Sequence, residues 1–153
     1  MALNACRQET RMVSLDDIRQ AGQITVIKRN DAHCYYLYRD QAMGFEYDLA
    51  SAFADFLGVE LKVQLVDTWE EISAELSRYP TAFAAANLAI TPKRLQRAAF
   101  SDGYMATRQR ILVNRDNTDV FWADDLIGKT VHIRKGTTYH ERLEKLRQDG
   151  ISF

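Results

Sequence analysis

Two short segments of the sequence place cations or hydroxyl groups at the expected start of a helix. In the first, Lys93 and Arg94 follow Thr91-Pro92, which has the form of an N-cap with proline at the first helical position. Cations in a first helical turn are unfavourable beside the positive end of the helix dipole. Their presence there therefore favours a role for this positive charge in binding an anion. Backbone N–H groups and the guanidinium fork of Arg94 could together hold a carboxylate. The alternative is a solvated Lys-Arg pair at a surface turn.

The second segment is Arg134-Lys135-Gly136-Thr137-Thr138. Gly136 lets a ligand approach the backbone closely, and Thr137 and Thr138 offer hydroxyl groups at a helix N-terminus. The spacing of a phosphate-binding P-loop is absent, and a simple strand-to-helix turn with a threonine cap is the alternative. Taken together, the two segments suit a cleft that closes on an anionic small molecule.

An aromatic run, residues 34–39, follows the first predicted strand. Tyr35 and Tyr36 could wall a ligand pocket there, and ordinary packing of a long loop is the alternative. Catalysis finds little support, because the histidines stand in no HExxH or nucleophile motif. Glu46 and Asp48 suit capping and dipole roles at a helix start. We therefore expect no catalytic residue, no metal site and no cofactor.

Composition limits the classes of partner. The chain has 153 residues, with 20 Lys and Arg against 21 Asp and Glu, and a formal net charge of −1. A near-neutral chain does not favour a nucleic-acid partner. Hydrophobic residues make up 46% and charged residues 27%, which are ordinary globular values. No apolar run approaches the length of about 18 residues that a membrane-spanning helix needs.

Strands and helices alternate along the chain, which predicts an α/β fold with a largely parallel sheet flanked by helices. Strands are predicted at residues 24–27, 61–65, 82–88, 110–113 and 130–133. Helices are predicted at residues 15–20, 45–57, 69–79, a short stretch from 92, and 139–148. Another strand begins at residues 151–153, so we expect a chain cut partway through a fold. In such sheets, ligands bind beyond the carboxyl ends of the strands.

The segment Gly44-Phe45-Glu46-Tyr47-Asp48-Leu49-Ala50, followed by residues 53–59, resembles the first helix of family 3 extracellular solute-binding proteins. Further matches follow in the family's order: residues 90–94, Phe100-Ser101, Tyr104, residues 128–131 and residues 136–138. The resemblance covers roughly residues 22–153. It implies the type 2 periplasmic binding fold, in which two α/β lobes close on a ligand like a hinge. We expect a lead-in and short helix at 1–21, a first lobe at 22–115 and the start of a second lobe at 116–153.

The resemblance also implies roles for individual residues. In amino-acid-binding members, the arginine of a T-x-x-R motif holds the ligand carboxylate, and Arg94 matches it. Thr137 and Thr138 match donors of the second lobe. Many members carry a hydroxyl residue directly before the Ile-Thr pair, where this chain has Ala89. We therefore expect Asn87 to supply a donor instead.

Two stretches, residues 35–48 and 139–143, look most like the solute-binding-like domain of membrane-bound lytic murein transglycosylases. Two main hypotheses follow. One is a periplasmic or envelope domain, working with an ABC permease, that binds a carboxylate-bearing solute such as an amino acid or cell-wall peptide. The other is the regulatory N-terminal domain of a transglycosylase whose catalytic domain is absent. A stand-alone enzyme, as in dehydratases on this fold, would need a catalytic acid near the cleft, and none is evident.

The cysteines leave two alternatives open. Leu3-Asn4-Ala5-Cys6 resembles the end of a bacterial lipoprotein signal, in which the cysteine is lipidated. This predicts a lipid anchor on Cys6 at the cell envelope, and a chance cysteine at an arbitrary start is the alternative. Cys6 and Cys34 could form a disulfide or remain two free thiols.

Overall fold

The computed structural model describes residues 13–153 of the chain. Cys6, and with it the predicted lipid anchor, lies outside the described residues, as does most of the predicted lead-in. The contacts divide the chain into two compact units, with the break between Leu88 and Ala89. The predicted lobe boundary after residue 115 stays a prediction.

Helices and strands alternate through the described part of the first unit. Its elements in chain order are α1 (Leu15–Ala21), β1 (Gln23–Lys28), β2 (Tyr36–Tyr38), β3 (Gln41–Met43), α2 (Phe45–Leu57), β4 (Glu60–Leu65), α3 (Trp69–Arg78) and β5 (Ala82–Ala84).

β1 is the central strand of a parallel sheet, and β4 and β5 pair with it on its two sides. Buried β-branched residues suit this position, and Ile24, Val26 and Ile27 are each exposed by 2% or less. The predicted α/β fold with a parallel sheet is therefore confirmed. The strand predicted over residues 82–88 is too long, because β5 ends at Ala84 and Asn87 has a left-handed φ of 50°.

An antiparallel hairpin of β2 and β3 stands where the sequence predicted only a loop. Its turn is Arg39-Asp40, with φ of 49° and 63°. Two central residues with positive φ are typical of the tight turns that match strand twist. The turn was not predicted from the sequence because neither residue is the glycine or asparagine that usually marks such a turn.

The helices of the first unit begin where the sequence predicted. Ser14 caps α1 and Thr68 caps α3, each in a reciprocal capping box. α2 ends at Gly58, which has a φ of 72°. Side chains of α1 and α2 pack with the sheet in an apolar cluster whose buried members are Ile18, Ile24, Ala54, Leu57 and Val59.

The sequence predicts α2 correctly, but three of its large apolar residues are not buried. Phe45, Leu49 and Phe56 are 51%, 47% and 76% exposed. The buried face consists of Glu46, Ala50, Ala54 and Leu57. Small alanine side chains let the helix axis approach its neighbours closely, which the periodicity alone does not reveal.

The second unit contains little regular structure among its residues. It has α4 (Pro92–Leu95), a 3-10 turn (Ala123–Leu126) and α5 (Thr138–Gln148). The strands predicted at 110–113, 130–133 and 151–153 are wrong, since the structure gives these segments no strand conformation. A strand forms only where a neighbour pairs with its backbone N–H and C=O groups, and local sequence does not supply that neighbour.

Gly44 brings α2 very close to the loop after β1. Its φ is 138°, and a Cβ at this position would lie 2.7 Å from the carbonyl oxygen of Cys34. We expect Gly44→Ala to lower the free energy of unfolding by about 3 kcal/mol, because backbone strain and overlap add. Urea unfolding followed by circular dichroism measures this loss.

Gly58→Ala at the other end of α2 is the matched control. Gly58 also has a positive φ, of 72°, but no atom lies within 4 Å of its added Cβ. Only the left-handed strain remains, at about 1 kcal/mol. Equal losses in the two variants would contradict the close approach of Gly44 to Cys34.

Candidate functional site

Two buried charged side chains lie at the carboxyl edge of the sheet in the first unit. Lys28 ends β1 and is 0% exposed, and its Nζ donates to the carbonyl oxygen of Ala85 at 3.2 Å. Glu46 in the first turn of α2 is 1% exposed, and its Oε1 accepts from the backbone N–H of Asn87 at 3.1 Å. The two side chains, called here the Lys28–Glu46 pair, therefore hold the backbone on either side of Ala86.

The surroundings of Lys28 shift its protonation. Burial lowers the pKa of Lys28 from its ordinary value of 10.5 to about 8, because the ammonium loses its hydration. The acidic groups around it oppose this and raise the pKa, Glu46 most strongly, followed by Cys34, Asp31 and Asp48. Lys28 is therefore still mostly protonated at pH 7.

Cys34 beside this pair is a free, buried thiol. Burial raises the pKa of Cys34 to about 12, and the neighbouring Asp31 adds to the rise. A thiol with so high a pKa is not a nucleophile at neutral pH. The free-thiol alternative is thus confirmed for Cys34, and the expectation that it has no catalytic role stays a prediction.

Asp31 organises the loop after β1. Its Oδ1 accepts from the backbone N–H groups of His33 at 3.0 Å and Cys34 at 2.9 Å, and its Oδ2 accepts from Arg29 at 3.0 Å. Burial raises the pKa of Asp31, but the hydrogen bonds from Cys34 and His33 and the charge of Arg29 outweigh it, and the pKa falls below its ordinary value. This carboxylate is therefore held ionised as a structural acceptor.

The two tyrosines predicted to wall a pocket lie at the end of this loop. The ring of Tyr35 packs edge-on against that of Tyr47, with 5.5 Å between centroids. Tyr36 is the first residue of β2. Both are half-buried, so loop packing occupies part of Tyr35, and a ligand role for either stays a prediction.

Asn87 is exposed and begins the segment that leads to Arg94. Farther along, Arg94 is 7% exposed, and its Nη1 donates to the carbonyl oxygen of Ala89 at 3.0 Å. Thr91 caps α4 by accepting from the backbone N–H of Arg94, as the sequence predicted. The guanidinium of Arg94 therefore donates back to the segment just before α4, and the side chain is buried.

The hydroxyl group of Thr137 caps α5. It donates to the carbonyl oxygen of Arg134 at 2.7 Å and accepts from the backbone N–H of His140 at 3.3 Å. Thr138 is the first residue of the helix and is half-buried. The capping role of Thr137 is confirmed, and the ligand-donor role of both threonines stays a prediction.

An open groove of about 200 Å³ runs along α5 in the second unit, with His140, Glu144 and Arg147 among its lining residues. The Nε2 atom of His140 lies 3.5 Å from Oε1 of Glu144. Neither Thr137 nor Thr138 lines this groove. The groove is therefore separate from the predicted donors.

Within residues 13–153, no three His, Cys, Asp or Glu side chains are grouped so that they could hold a metal ion. Over the same residues, none of the helices combines the length and the apolar character that crossing a membrane requires.

Sequence reasoning missed the Lys28–Glu46 pair. It passed over Lys28 and gave Glu46 only capping and dipole roles. One signal was available, because a lysine that directly ends a strand of buried β-branched residues has to find a partner for its charge. The partner itself comes from a helix start 18 positions later, and no local pattern indicates it.

Comparison with known proteins places these features in a family. Residues 18–151 match the bacterial extracellular solute-binding proteins, family 3. A relative in Desulfosudis oleivorans, named membrane-bound lytic murein transglycosylase F, is 45% identical over 140 residues. The match covers 92% of this chain and 31% of that protein, so the chain spans about a third of the relative's length.

Solved structures agree with the fold. An ancestral amino acid-binding protein, described as a precursor of cyclohexadienyl dehydratase, has a TM-score of 0.73 at 32% identity, covering 87% of this chain and 60% of that one. The arginine-bound form of domain 1 of the arginine-binding protein from T. maritima has a TM-score of 0.55 at 28% identity, covering 60% and 72%. The described structure is thus a partial α/β domain of that type, and the chain belongs to the family 3 bacterial extracellular solute-binding proteins.

Proposed function

We propose that the chain binds a small carboxylate-bearing solute, such as an amino acid or a murein peptide. The observation that carries this proposal is the family match over residues 18–151. It is supported by structural neighbours described as an amino acid-binding protein and as an arginine-bound domain 1. The second of these is a phenylalanine-to-tryptophan mutant described as domain 1 in its arginine-bound form.

Arg94 is the proposed anchor for the carboxylate. Its hydrogen bond to the carbonyl oxygen of Ala89 fixes the direction of the guanidinium before any ligand arrives. A pre-oriented planar fork loses less side-chain entropy when it binds a carboxylate than a solvated arginine does. Asn87, Thr137 and Thr138 are the proposed neutral donors, and Tyr35 or Tyr36 the proposed wall.

Replacing Arg94 tests the anchor. We expect Arg94→Ala to weaken binding about 100-fold or more, because a carboxylate would lose its charged hydrogen-bond partner. Arg94→Lys keeps the charge but loses the fork, so it should recover only part of the affinity. The measurement is isothermal titration calorimetry with L-arginine and with soluble murein peptides as probes.

Lys93→Ala is the matched control, since Lys93 lies next to Arg94 in α4 but is exposed. Its affinity should stay within about threefold of the original, because exposed charges contribute little. Thermal unfolding of each variant shows whether the fold survives. An intact Arg94→Ala protein with unchanged affinity for a probe that binds would rule out the anchor.

A second proposal concerns the larger protein. The 45% identity to a membrane-bound lytic murein transglycosylase F, of which the match covers 31%, favours a regulatory domain that precedes a catalytic one. Murein peptide would then be the sensed ligand, and the protein would act at the cell envelope. An ABC permease partner belongs to the transport alternative, and lipidation of Cys6 is compatible with both.

The reading frame after Phe153 separates the two alternatives. The regulatory proposal predicts that it continues into a lysozyme-like domain, and that the whole protein releases soluble fragments from purified murein. Arg94→Ala should then abolish the change in the release rate that added murein peptide causes, while the basal rate persists. A stop codon soon after the second lobe would contradict this proposal and favour transport.

A further inference from the structure

The backbone at residues 85–87 is held by contacts from two other elements, β1 and α2. The N–H of Ala85 donates to the carbonyl oxygen of Ile27 at 3.0 Å, which extends the pairing of β5 with β1. The carbonyl oxygen of Ala85 accepts from Lys28, and the N–H of Asn87 donates to Glu46. Between them, Ala86 is 1% exposed.

Asn87 adopts a conformation that needs such support. Its φ of 50° lies in the left-handed region, which is uncommon for residues other than glycine, although asparagine tolerates it better than most. The carboxylate of Glu46 accepts from its N–H, and a hydrogen bond to an ionised acceptor is stronger than one to a neutral group. Glu46 therefore stabilises the turn that redirects the chain after β5.

Glu46 is itself fixed from the opposite side. Its backbone N–H donates to the carbonyl oxygen of His33 at 3.2 Å, in the loop after β1. Lys28 is fixed through its backbone, because its carbonyl oxygen accepts from the N–H of Val66 at 2.9 Å. Both side chains therefore extend from hydrogen-bonded backbone, and both are buried.

Burying two charged side chains costs desolvation free energy, which is unfavourable if stabilising a loop is their only role. Apolar residues of similar volume often give equal or greater stability at such positions. Charged groups instead determine the path of the backbone, because each of their hydrogen bonds fixes the position of one backbone atom. The chain continues from Asn87 through Leu88 to Ala89, whose carbonyl oxygen accepts from Arg94. The segment that the Lys28–Glu46 pair holds is thus the start of the one that leads to the proposed anchor.

We propose that Lys28 and Glu46 are positioning residues that fix the backbone of residues 85–87 and thereby set the affinity of the segment that follows for a carboxylate-bearing solute. The effect on affinity rests on the proposed function. The positioning of residues 85–87 does not, since it concerns the ligand-free protein. Measurements on the ligand-free protein and on ligand binding therefore separate a failure of one from a failure of the other.

Hydrogen exchange at the amide of Asn87, followed by NMR on the ligand-free protein, tests the positioning. We expect Glu46→Leu to speed this exchange at least about 10-fold, because the N–H loses its acceptor. Glu46→Gln should restore most of the protection, since its side-chain oxygen can still accept. Lys28→Met should speed the exchange by a factor between those of Glu46→Gln and Glu46→Leu. Unchanged exchange in folded Glu46→Leu and Lys28→Met proteins would overturn the proposal.

Calorimetry with L-arginine and with murein peptide tests the consequence for binding. Glu46→Leu and Lys28→Met should each weaken binding about 10-fold, with recovery in Glu46→Gln. Lys62→Met is the matched control, because Lys62 lies on the neighbouring strand β4 with a half-exposed side chain. Equal losses of affinity in Glu46→Gln and Glu46→Leu would show that the side-chain acceptor does not matter, and would overturn the proposal. If the original protein binds neither probe, the proposed function fails, and the exchange data still decide the positioning.

The pH dependence of stability tests whether the charge of Lys28 is buried in solution. The groups that face Lys28 are Glu46 and Asp48 from α2, and Asp31 and Cys34 from the loop after β1. The pKa of Lys28 is about 8 in the folded chain against 10.5 ordinarily, so between these values the unfolded chain binds the extra proton. The free energy of unfolding should therefore rise with pH from about 8 to about 10.5 relative to Lys28→Met. Parallel profiles for the two proteins would show a solvated lysine and overturn its contact with Ala85.

Discussion

The parallel pairing of β1 with both β4 and β5 is the constraint on which the first unit depends. Because the three strands run in one direction, their carboxyl ends lie at one edge, and the groups that follow them meet there. Lys28 ends the central strand at that edge, and Ala85 follows the neighbouring one. α2, which starts beside them at Gly44, brings the carboxylate of Glu46 to the same place.

The hydrogen bonds that fix the backbone at this edge of the sheet suit the proposed binding of a solute. A binding site gains affinity when its donors are already placed before the ligand arrives. In this chain Asn87 is held by Glu46, and Arg94 by the carbonyl oxygen of Ala89. The first contact joins a side chain 41 positions away to the backbone of Asn87, and the second joins the side chain of Arg94 to the backbone five positions before it. The energetic cost of burying Lys28 and Glu46 is thus linked to the geometry of the segment that we propose binds the solute.

Local chemistry allowed much of the fold to be predicted from the sequence. Ser14, Thr68, Thr91 and Thr137 each accept from a backbone N–H three positions ahead, so a few neighbouring residues decide where these helices begin. The buried strand β1 was equally clear from its β-branched residues.

What the sequence did not reveal depends on distant partners. Residues 110–113 and 130–133 have strand-like composition but form no strand, because a strand needs a neighbour as well as a propensity. The hairpin turn at Arg39-Asp40 lacks its usual residues. The burial of Lys28 and Glu46 was hidden for the same reason, since each is buried by elements far along the chain. Of the candidate site, sequence indicated Arg94 and its cap but not what fixes the backbone that precedes it.

We propose that the segment from Asn87 to Arg94 receives the carboxylate of a solute. An NMR titration of the isotopically labelled protein with L-arginine and with a soluble murein peptide tests this directly. We expect saturable shifts that are largest at the backbone amides of residues 87–91, 93 and 94 and at the guanidinium of Arg94. Saturable binding that shifts the groove along α5 and leaves residues 87–94 unmoved would contradict it.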